Sequence, residues 1–236
     1  MKKCTLLLLL FPCWISAQNT QIMKAVSGEE LSTKVSAQMQ YLFPEFTGGE
    51  VYFKSYTANG SLNYNMLVGE MQFMENDQVL ALDNLKDVVM LRISSRRFYP
   101  FNDREFTEEL LSTGKYQLRV RRKGTVTPQG RKGAYGTYSS AGSITAIGSY
   151  SSYNGNSTSI TRTNLSVEDK VLINLDCFYY LVGTNGKHIQ IKNVKTFTKQ
   201  FPAHRKQIEA FVIEQNIRYN NEDDLKTLLE YCSKLD

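Results

Sequence analysis

The stretch from Tyr41 to Met74 constrains the fold most, because it contains two alternating apolar segments of the kind that pair as antiparallel strands. Apolar and polar residues alternate over positions 51–56 and again over positions 62–68. Between these segments, Asn59-Gly60 is a favoured hairpin dipeptide because both residues tolerate a positive φ. We therefore predict a β-hairpin that turns at Asn59-Gly60.

The apolar phase changes near the end of the second strand of this hairpin. The even-numbered set is Leu62, Tyr64, Met66 and Val68, and the odd-numbered set is Leu67, Met71 and Phe73. A β-bulge near Gly69 would keep one face buried despite this change, and we predict one there. Asn63 and Asn65 then project opposite Tyr64, either toward solvent, as on a half-exposed antiparallel sheet, or into a polar pocket.

The residues after this hairpin predict further antiparallel strands. Short runs at positions 79–82, 88–93 and 98–101 are typical of a meander, and Pro100 should end its strand because proline donates no ladder hydrogen bond. Positions 106–111 and 116–122 form a second hairpin around Ser112-Thr113-Gly114-Lys115. The apolar run 171–182 fits a strand or a buried helix, and the turn Gly183-Thr184-Asn185-Gly186 that follows favours a strand from about Asp176.

Helices are predicted near both ends of the chain. Ser27 and Glu30 have the spacing of a capping box, which favours a helix from about Gly28 to Gln40, and Pro44 prevents its continuation. Near the other end, Pro202 fits a helix start and Asn221 fits the cap of a second helix. The stripe of that second helix consists of Leu225, Leu228, Leu229, Cys232 and Leu235.

These patterns predict an α+β fold that is mainly β. We expect an antiparallel meander and hairpin sheet over residues 18–193, with a Gly/Ser/Tyr-rich insertion at about 124–160. The C-terminal pair of helices, residues 194–236, should pack on the sheet within the same domain.

The first seventeen residues have the features of a secretory signal peptide. Lys2 and Lys3 precede an apolar run at positions 6–11, and Ala17 fits the cleavage site. Neither this run nor any later segment is long enough to span a bilayer, so no transmembrane segment is predicted. A lipidated Cys13 is the alternative, although Phe11-Pro12 lacks the small residues that such a site prefers.

Export determines how the cysteines are interpreted. Cleavage removes Cys4 and Cys13, which leaves Cys177 and Cys232 in apolar contexts and in an oxidising compartment. Because both lie in patterned segments, we favour two separate buried thiols, and a Cys177–Cys232 disulfide is the alternative.

Positive charge is concentrated in one part of the sequence. No Asp or Glu lies between Leu110 and Val167, and eight basic residues do: Lys115, Arg119, Arg121, Arg122, Lys123, Arg131, Lys132 and Arg162. Alternation in the second hairpin turns Arg119 and Arg121 away from the apolar face. Such a basic hairpin either is solvated or binds an anionic partner, since clustered positive potential retains polyanions.

The Gly/Ser/Tyr-rich insertion supplies further candidate binding residues. Seven Gly and eight Ser occupy positions 124–159, a composition typical of loops or irregular hairpins. Two similar Tyr-containing segments contribute Tyr135 and Tyr138, then Tyr150 and Tyr153. Tyrosines in a Gly/Ser setting are common in adaptable recognition surfaces. Chance similarity within a segment of biased composition is the alternative explanation for the two similar segments.

Catalytic motifs are not found in the sequence. His188 and His204 have no second ligand at metal-binding spacing, and no nucleophile elbow, phosphate-binding loop or dinucleotide-binding fingerprint is present. The pair Glu108-Glu109 fits a hairpin, and Asp223-Asp224 fits the start of a helix. We therefore predict no enzyme activity, no metal and no cofactor, although two carboxylates leave a glycosidase formally open.

Two blocks of the sequence carry a resemblance. They are YLFPEF with the following strands LNYN and GEMQF, and FYYLVGTNGKHIQI with the tail NNEDDLKTLLEYC. In these blocks, which cover roughly residues 41–73 and 179–232, the chain resembles a group of uncharacterised secreted proteins of Bacteroidetes-type bacteria. The resemblance implies export and transfers no catalytic residue.

Two functions are consistent with these observations. The first is an exported, non-catalytic structural or interaction protein of the cell envelope, located in the periplasm, outside the cell or at the outer membrane. The alternative is a binding module for an anionic glycan or lipopolysaccharide, in which the basic hairpin and the tyrosine-containing loop make the contacts. The expected partner is thus an anionic envelope polymer or another envelope protein, and export disfavours nucleic acid.

Overall fold

The computed structural model describes residues 20–25, 37–83, 85–129, 148–151, 159–162 and 169–235. The predicted leader, with Cys13, lies outside the described residues. So does most of the helix predicted from Gly28, of which the structure describes only the last turn.

The described residues form thirteen strands and four α-helices. The strands are β1 (Thr20–Ala25), β2 (Thr47–Phe53), β3 (Thr57–Asn65), β4 (Glu70–Glu75), β5 (Gln78–Ala81), β6 (Val88–Ile93), β7 (Arg96–Pro100), β8 (Phe106–Ser112), β9 (Tyr116–Gln129), β10 (Gly148–Ser151), β11 (Ser159–Arg162), β12 (Asp169–Gly183) and β13 (His188–Gln190). The helices are α1 (Ala37–Gln40), α2 (Val194–Thr198), α3 (Arg205–Glu214) and α4 (Glu222–Ser233), and 3-10 turns cover Leu85–Asp87 and Pro202–His204.

Eleven of these strands form one antiparallel sheet, as the mainly β prediction requires. Ten of them lie in the order β1-β12-β9-β8-β7-β6-β2-β3-β4-β5, and the eleventh, β13, pairs with β12. The long strand β12 pairs with β9 on one side, while β1 and then β13 pair with successive halves of its other side. Strands β10 and β11 form a separate two-stranded ladder.

The sheet curls, because the loop between β3 and β4 reaches across to β8 and β9. The amide of Gly124 donates to the carbonyl oxygen of Met66 at 2.9 Å, and the amide of Phe106 donates to that of Gly69 at 3.2 Å. The buried Tyr64 hydroxyl donates to the carbonyl oxygen of Arg122 at 3.0 Å. Curling gives the sheet an enclosed face and an outer face.

Two apolar clusters stabilise this arrangement. The first lies within the curl of the sheet and includes Leu62, Tyr64, Met71, Leu91, Ile93, Phe98 and Phe106. The second joins the sheet to the C-terminal helices and includes Leu118, Val120, Leu181, Phe197, Ile208, Leu225, Leu228, Leu229 and Cys232. The predicted packing of the final helices on the sheet is therefore confirmed, with α2 as an additional short helix. None of the described helices is long and apolar enough to cross a lipid bilayer.

The caps of the final helix form as predicted. The Asn221 side chain accepts a hydrogen bond from the amide of Asp224 at 3.0 Å, which satisfies a donor at the start of α4. Leu225, Leu228, Leu229 and Cys232 are fully buried. Pro202 begins the 3-10 turn that leads into α3, as its position favoured.

The first hairpin turns at a different place from the one predicted. Asn59 and Gly60 lie within β3, opposite Glu50 and Gly49, and the chain reverses over residues 54–56. The cause is tertiary, because β2 also pairs with β6 and sets Val51 against Leu91 in the core. Burial of that pairing outweighs the local preference of Asn-Gly for a turn.

The predicted bulge near Gly69 is also wrong. Residues 66–69 form a four-residue loop, Gly69 has φ +73°, and Asn65 pairs with Glu70 across it. The apolar phase changes because the chain reverses, and the loop residues Met66, Leu67 and Val68 are buried against the curled sheet.

Asn63 and Asn65 face neither solvent nor a pocket. Both are buried, and each anchors backbone. The Asn63 amide group accepts from the amide of Phe43 at 3.1 Å and donates to its carbonyl oxygen at 2.9 Å. Asn65 accepts from the amide of Leu67 at 3.1 Å. These side chains hold the segment before β2 and the β3–β4 loop in place.

The strand predicted from about Asp176 begins earlier, at Asp169, and residues 124–129 of the Gly/Ser-rich insertion continue β9. The second hairpin, by contrast, forms as predicted, with Gly114 at φ +79° in its turn. The long β9–β12 pairing extends both strands into sequence whose composition favours loops.

Candidate functional site

The predicted basic hairpin, β8–β9, forms the centre of the candidate site. Side chains alternate along β9, so Arg119, Arg121 and Lys123 lie on the outer face and Arg122 lies on the side of the C-terminal helices. The structure brings all four next to carboxylates or aromatic rings.

On the outer face, Glu105 binds two of the predicted bases. Its Oε1 accepts from Lys123 Nζ at 2.7 Å, and its Oε2 accepts from Arg121 Nη1 at 3.0 Å. Asn102 Nδ2 donates to the same Oε2 at 2.7 Å. Burial alone would raise the pKa of Glu105, but the hydrogen bonds from Lys123 and Asn102 outweigh it and hold the pKa below its usual value. Glu105 is therefore an anion that neutralises the hairpin.

Aromatic rings cover the remaining surface of these arginines. The Arg121 guanidinium lies 4.9 Å from the ring centroids of both Phe101 and Phe178. The Arg119 guanidinium lies 3.8 Å from the Tyr99 ring centroid, and its Nε donates to Gln117 at 3.0 Å. Cations over aromatic faces are attracted by the ring quadrupole, so both residues are packed as well as charged. The segment 101–105 thus covers the part of the hairpin that was predicted to face outward.

On the helix side, Glu108 lies between two arginines. Arg96 Nη2 donates to it at 2.8 Å, and Arg122 Nη1 donates to the same carboxylate. The Glu108 side chain is only 5% exposed and that of Arg122 13%. Arg122 also donates to Glu222 of α4 at 3.1 Å. Burial alone would lower the pKa of Arg122, but Glu108 and Glu222 raise it overall, so this arginine stays charged.

A polar row crosses the outer face of the sheet and includes Arg119. Its members occupy consecutive register positions on eight strands, and they are Asn59, Glu50, Arg92, Arg97, Glu109, Arg119, Tyr180 and Gln190. At the usual strand spacing the row is roughly 30 Å long. Each exposed arginine in it has a carboxylate: Arg92 donates to Glu50 at 2.7 Å, and Arg97 donates to Glu109 at 3.0 Å.

The open end of this row borders a shallow hollow of about 740 Å³ on β2, β3 and β6. Small residues form part of its lining, namely Gly48, Gly49, Gly60, Ser61 and Ser94. Glu50, Asn59 and Arg92 supply its polar groups. The hollow is open to solvent, and Glu50 accepts from the Tyr52 hydroxyl as well as from Arg92.

The other predicted site residues are not brought to the hairpin by any described contact. Arg131, Lys132, Tyr135, Tyr138 and Tyr153 lie outside the described residues. Of Tyr150, the structure describes only the backbone, which lies in β10. The role of the tyrosine-containing loop stays a prediction.

Cys177 and Cys232 are free thiols in the structure, and the disulfide alternative stays untested. They lie on different elements, β12 and α4. Cys232 is fully buried as predicted, whereas Cys177 is exposed at the edge of the Arg122 cluster, so the prediction of a buried thiol fails for Cys177. Neighbouring atoms still shield the Cys177 sulfur from part of the solvent, and this partial desolvation is the main cause that raises the pKa of its thiol, so the protonated form prevails at neutral pH.

Sequence reasoning identified the bases of this site and missed their carboxylate partners. Glu105, Glu108 and Glu222 lie 16, 14 and 100 positions from the bases they bind. Glu108 was visible as a carboxylate on the partner strand of the same hairpin and Glu105 directly before that strand, but no local signal pointed to Glu222. Within the described residues, no group of three or more His, Cys, Asp and Glu side chains is arranged to hold a metal ion.

Comparisons with known proteins give no relative. No protein-family profile, no curated protein and no solved structure matches the chain.

Proposed function

We propose that this chain is an exported, non-catalytic protein of the cell envelope that acts by binding. The leader supports export, because its charged start, apolar run and small residues before Gln18 have the order that a secretion signal needs. The curled sheet with helices on one side supplies a rigid scaffold for binding.

One observation carries the non-catalytic part of the proposal. The buried carboxylates Glu105 and Glu108 are each bound by two cations. A carboxylate that acts as a general acid needs a raised pKa and access to substrate. The Glu105 pKa is lowered instead, and Glu108 is enclosed by Arg96 and Arg122. These groups therefore serve the fold, which leaves binding at the surface as the activity that the geometry supports.

Processing and location test this proposal. We expect the full chain, expressed in a Gram-negative host with its own leader, to be cut after Ala17 and recovered in the envelope or culture fluid. Mass spectrometry of the purified protein should show Gln18 as the first residue. A matched variant, Leu8→Arg, interrupts the apolar run and should leave the uncut chain in the cytoplasm. Recovery of the uncut wild-type chain in the cytoplasm would contradict the proposal.

The basic hairpin as a polyanion site remains a separate proposal. An anion at Arg121 or Lys123 would have to displace Glu105, and one at Arg122 would have to displace Glu108 or Glu222. Surface cations that have no such competition are better placed to bind a polymer.

A further inference from the structure

A second basic segment differs from the hairpin in that it contains no acid. From Cys177 to Ile208 the sequence has no Asp or Glu, and it has Lys187, Lys192, Lys195, Lys199, Arg205 and Lys206. The fold gathers part of this segment with the β8–β9 turn at one end of the molecule. We call Lys187, Lys195, Lys199 and Arg205 the basic end.

Core packing of α2 and the residues after it explains why these cations face outward. Phe197 and Phe201 are buried, and their rings stack with centroids 5.6 Å apart. The ring centroids of Phe201 and Tyr116 lie 4.8 Å apart, and the Tyr116 hydroxyl donates to the carbonyl oxygen of Gln200 at 3.2 Å. With this side of the segment fixed to the sheet, Lys195 and Lys199 lie exposed one helical turn apart.

Residues 198–200 contribute to the lining of two hollows. The first, about 540 Å³, is lined by Lys195, Thr198, Lys199, Pro202 and Arg205. The second, about 380 Å³, is lined by Lys115, Tyr116, Gly183, Thr184, Asn185, Lys187, Ile189 and Gln200. No carboxylate lines either hollow. Of the lining cations, Arg205 is partly neutralised, because its Nε donates to Glu209 at 2.8 Å.

The spacing of the cations is unfavourable for the isolated segment. Lys195 lies in the last turn of α2 and Lys199 is the C-cap residue four positions later, so the two like charges repel each other by a few tenths of a kcal/mol. No contact between these two lysines and the core requires a cation at either position, since both are exposed. Concentrated positive charge beside neutral hydroxyl and amide groups suits a ligand that carries both anionic groups and hydroxyls.

We propose that the basic end binds an anionic polysaccharide. Sulfate, phosphate or carboxylate groups of the polymer pair with Lys187, Lys195 and Lys199, and its hydroxyls reach Thr184, Asn185 and Gln200. Because cations line both hollows, a polymer with more than one anionic group suits them better than a single anion does. This inference rests on the proposed function, since it names the partner class of an exported binding protein.

Dextran sulfate and neutral dextran test the inference, because they share a backbone and differ in charge. We expect the cleaved wild-type protein to bind dextran sulfate at low salt and not to bind neutral dextran. The logarithm of its affinity for dextran sulfate should fall linearly with the logarithm of the salt concentration. In the variant Lys195→Ser/Lys199→Ser, the affinity for dextran sulfate should fall by about tenfold or more, since two cations leave the contact.

The matched control is Lys54→Ser/Lys86→Ser, which removes the same charge from exposed positions near the β2–β3 turn. It should bind within about twofold of wild type, since a change of net charge away from the contact has only a screened effect. An equal loss in both variants, or no binding by wild type, would overturn the inference. Tighter binding to a DNA duplex than to dextran sulfate would overturn the assignment to polysaccharide.

Fractionation separates a failure of this inference from a failure of the proposed function. If the protein is processed and exported but the double variant binds like wild type, only the basic end is refuted. If the chain stays uncut in the cytoplasm, the proposed function is refuted whatever the polymer measurements show.

Discussion

His188 shows how a residue with no catalytic partner can still respond to pH. Its ring packs edge-on against Phe101 at 5.2 Å and against Tyr180 at 6.0 Å, and its Nε2 is buried without a hydrogen-bond partner in the structure. Burial lowers the pKa of His188, and the charge of Arg119 lowers it further. The fold therefore favours the neutral imidazole.

We expect the free energy of unfolding to fall as the pH drops from 7 through about 6.5, the ordinary pKa of histidine. The unfolded chain takes up a proton there, while folded His188 does so only at lower pH, so protonation favours unfolding over that interval. Urea titrations at several pH values should show this slope for wild type and its loss in His188→Gln. The control His204→Gln removes the other imidazole and should keep the slope. An unchanged slope in His188→Gln would refute this assignment.

Two adjacent glycines in β2 have opposite environments. A Cβ on Gly49 would lie 2.7 Å from the carbonyl oxygen of Arg92 and 2.9 Å from Leu62 Cδ1, whereas a Cβ on Gly48 would meet nothing within 4 Å. Close packing thus requires glycine at position 49, whereas no contact requires it at position 48.

We predict that Gly49→Ala destabilises the protein by about 1–3 kcal/mol, because backbone of β6 must move to accept the methyl group. Gly48→Ala should be neutral or stabilising by up to about 1 kcal/mol, since alanine restricts the unfolded chain and fits the open space. Urea unfolding of both variants checks the pair. Equal effects would mean that the β2–β6 register differs from the one described.

Strand β2 also shows where prediction from sequence stops. Alternation identified the strands that flank the first turn, because burial of one face imposes a period of two. Alternation did not give the register of these strands, because Asn59-Gly60 is a strong local turn signal. The contact that competes with this signal, Val51 with Leu91, comes from a strand 40 positions away. Helix α4 was predictable because its cap and its stripe are both local.

For the whole molecule, the chain of charges from Arg96 through Glu108 and Arg122 to Glu222 links β7, β8 and β9 to α4. Glu222 extends it to Lys226, one turn further along the helix, at 2.7 Å. Of these bases, only Arg122 was identified from the sequence, and the linkage could not be predicted because it depends on how the helices pack on the sheet.

We predict that Glu108→Gln lowers the free energy of unfolding by about 3–5 kcal/mol, because removal of one buried charge leaves Arg96 and Arg122 without their shared counter-ion. The control Glu50→Gln breaks an exposed pair with Arg92 and should change stability within the error of measurement. Both are read from urea midpoints at pH 7. A Glu108→Gln effect as small as that of Glu50→Gln would show that the buried cluster does not stabilise the fold.

The position of β1 has a consequence for the order in which the chain matures. Thr20 pairs with Asn174, so β1, the first of the described strands, has a sheet neighbour among the described residues that comes late in the chain, namely β12. Closing so long a loop is slow, because chain entropy must be lost before the contact forms. The β1 strand therefore stays without this partner until residues 169–174 have been synthesised. This edge of the sheet is complete once β12 has been synthesised and has paired with β1.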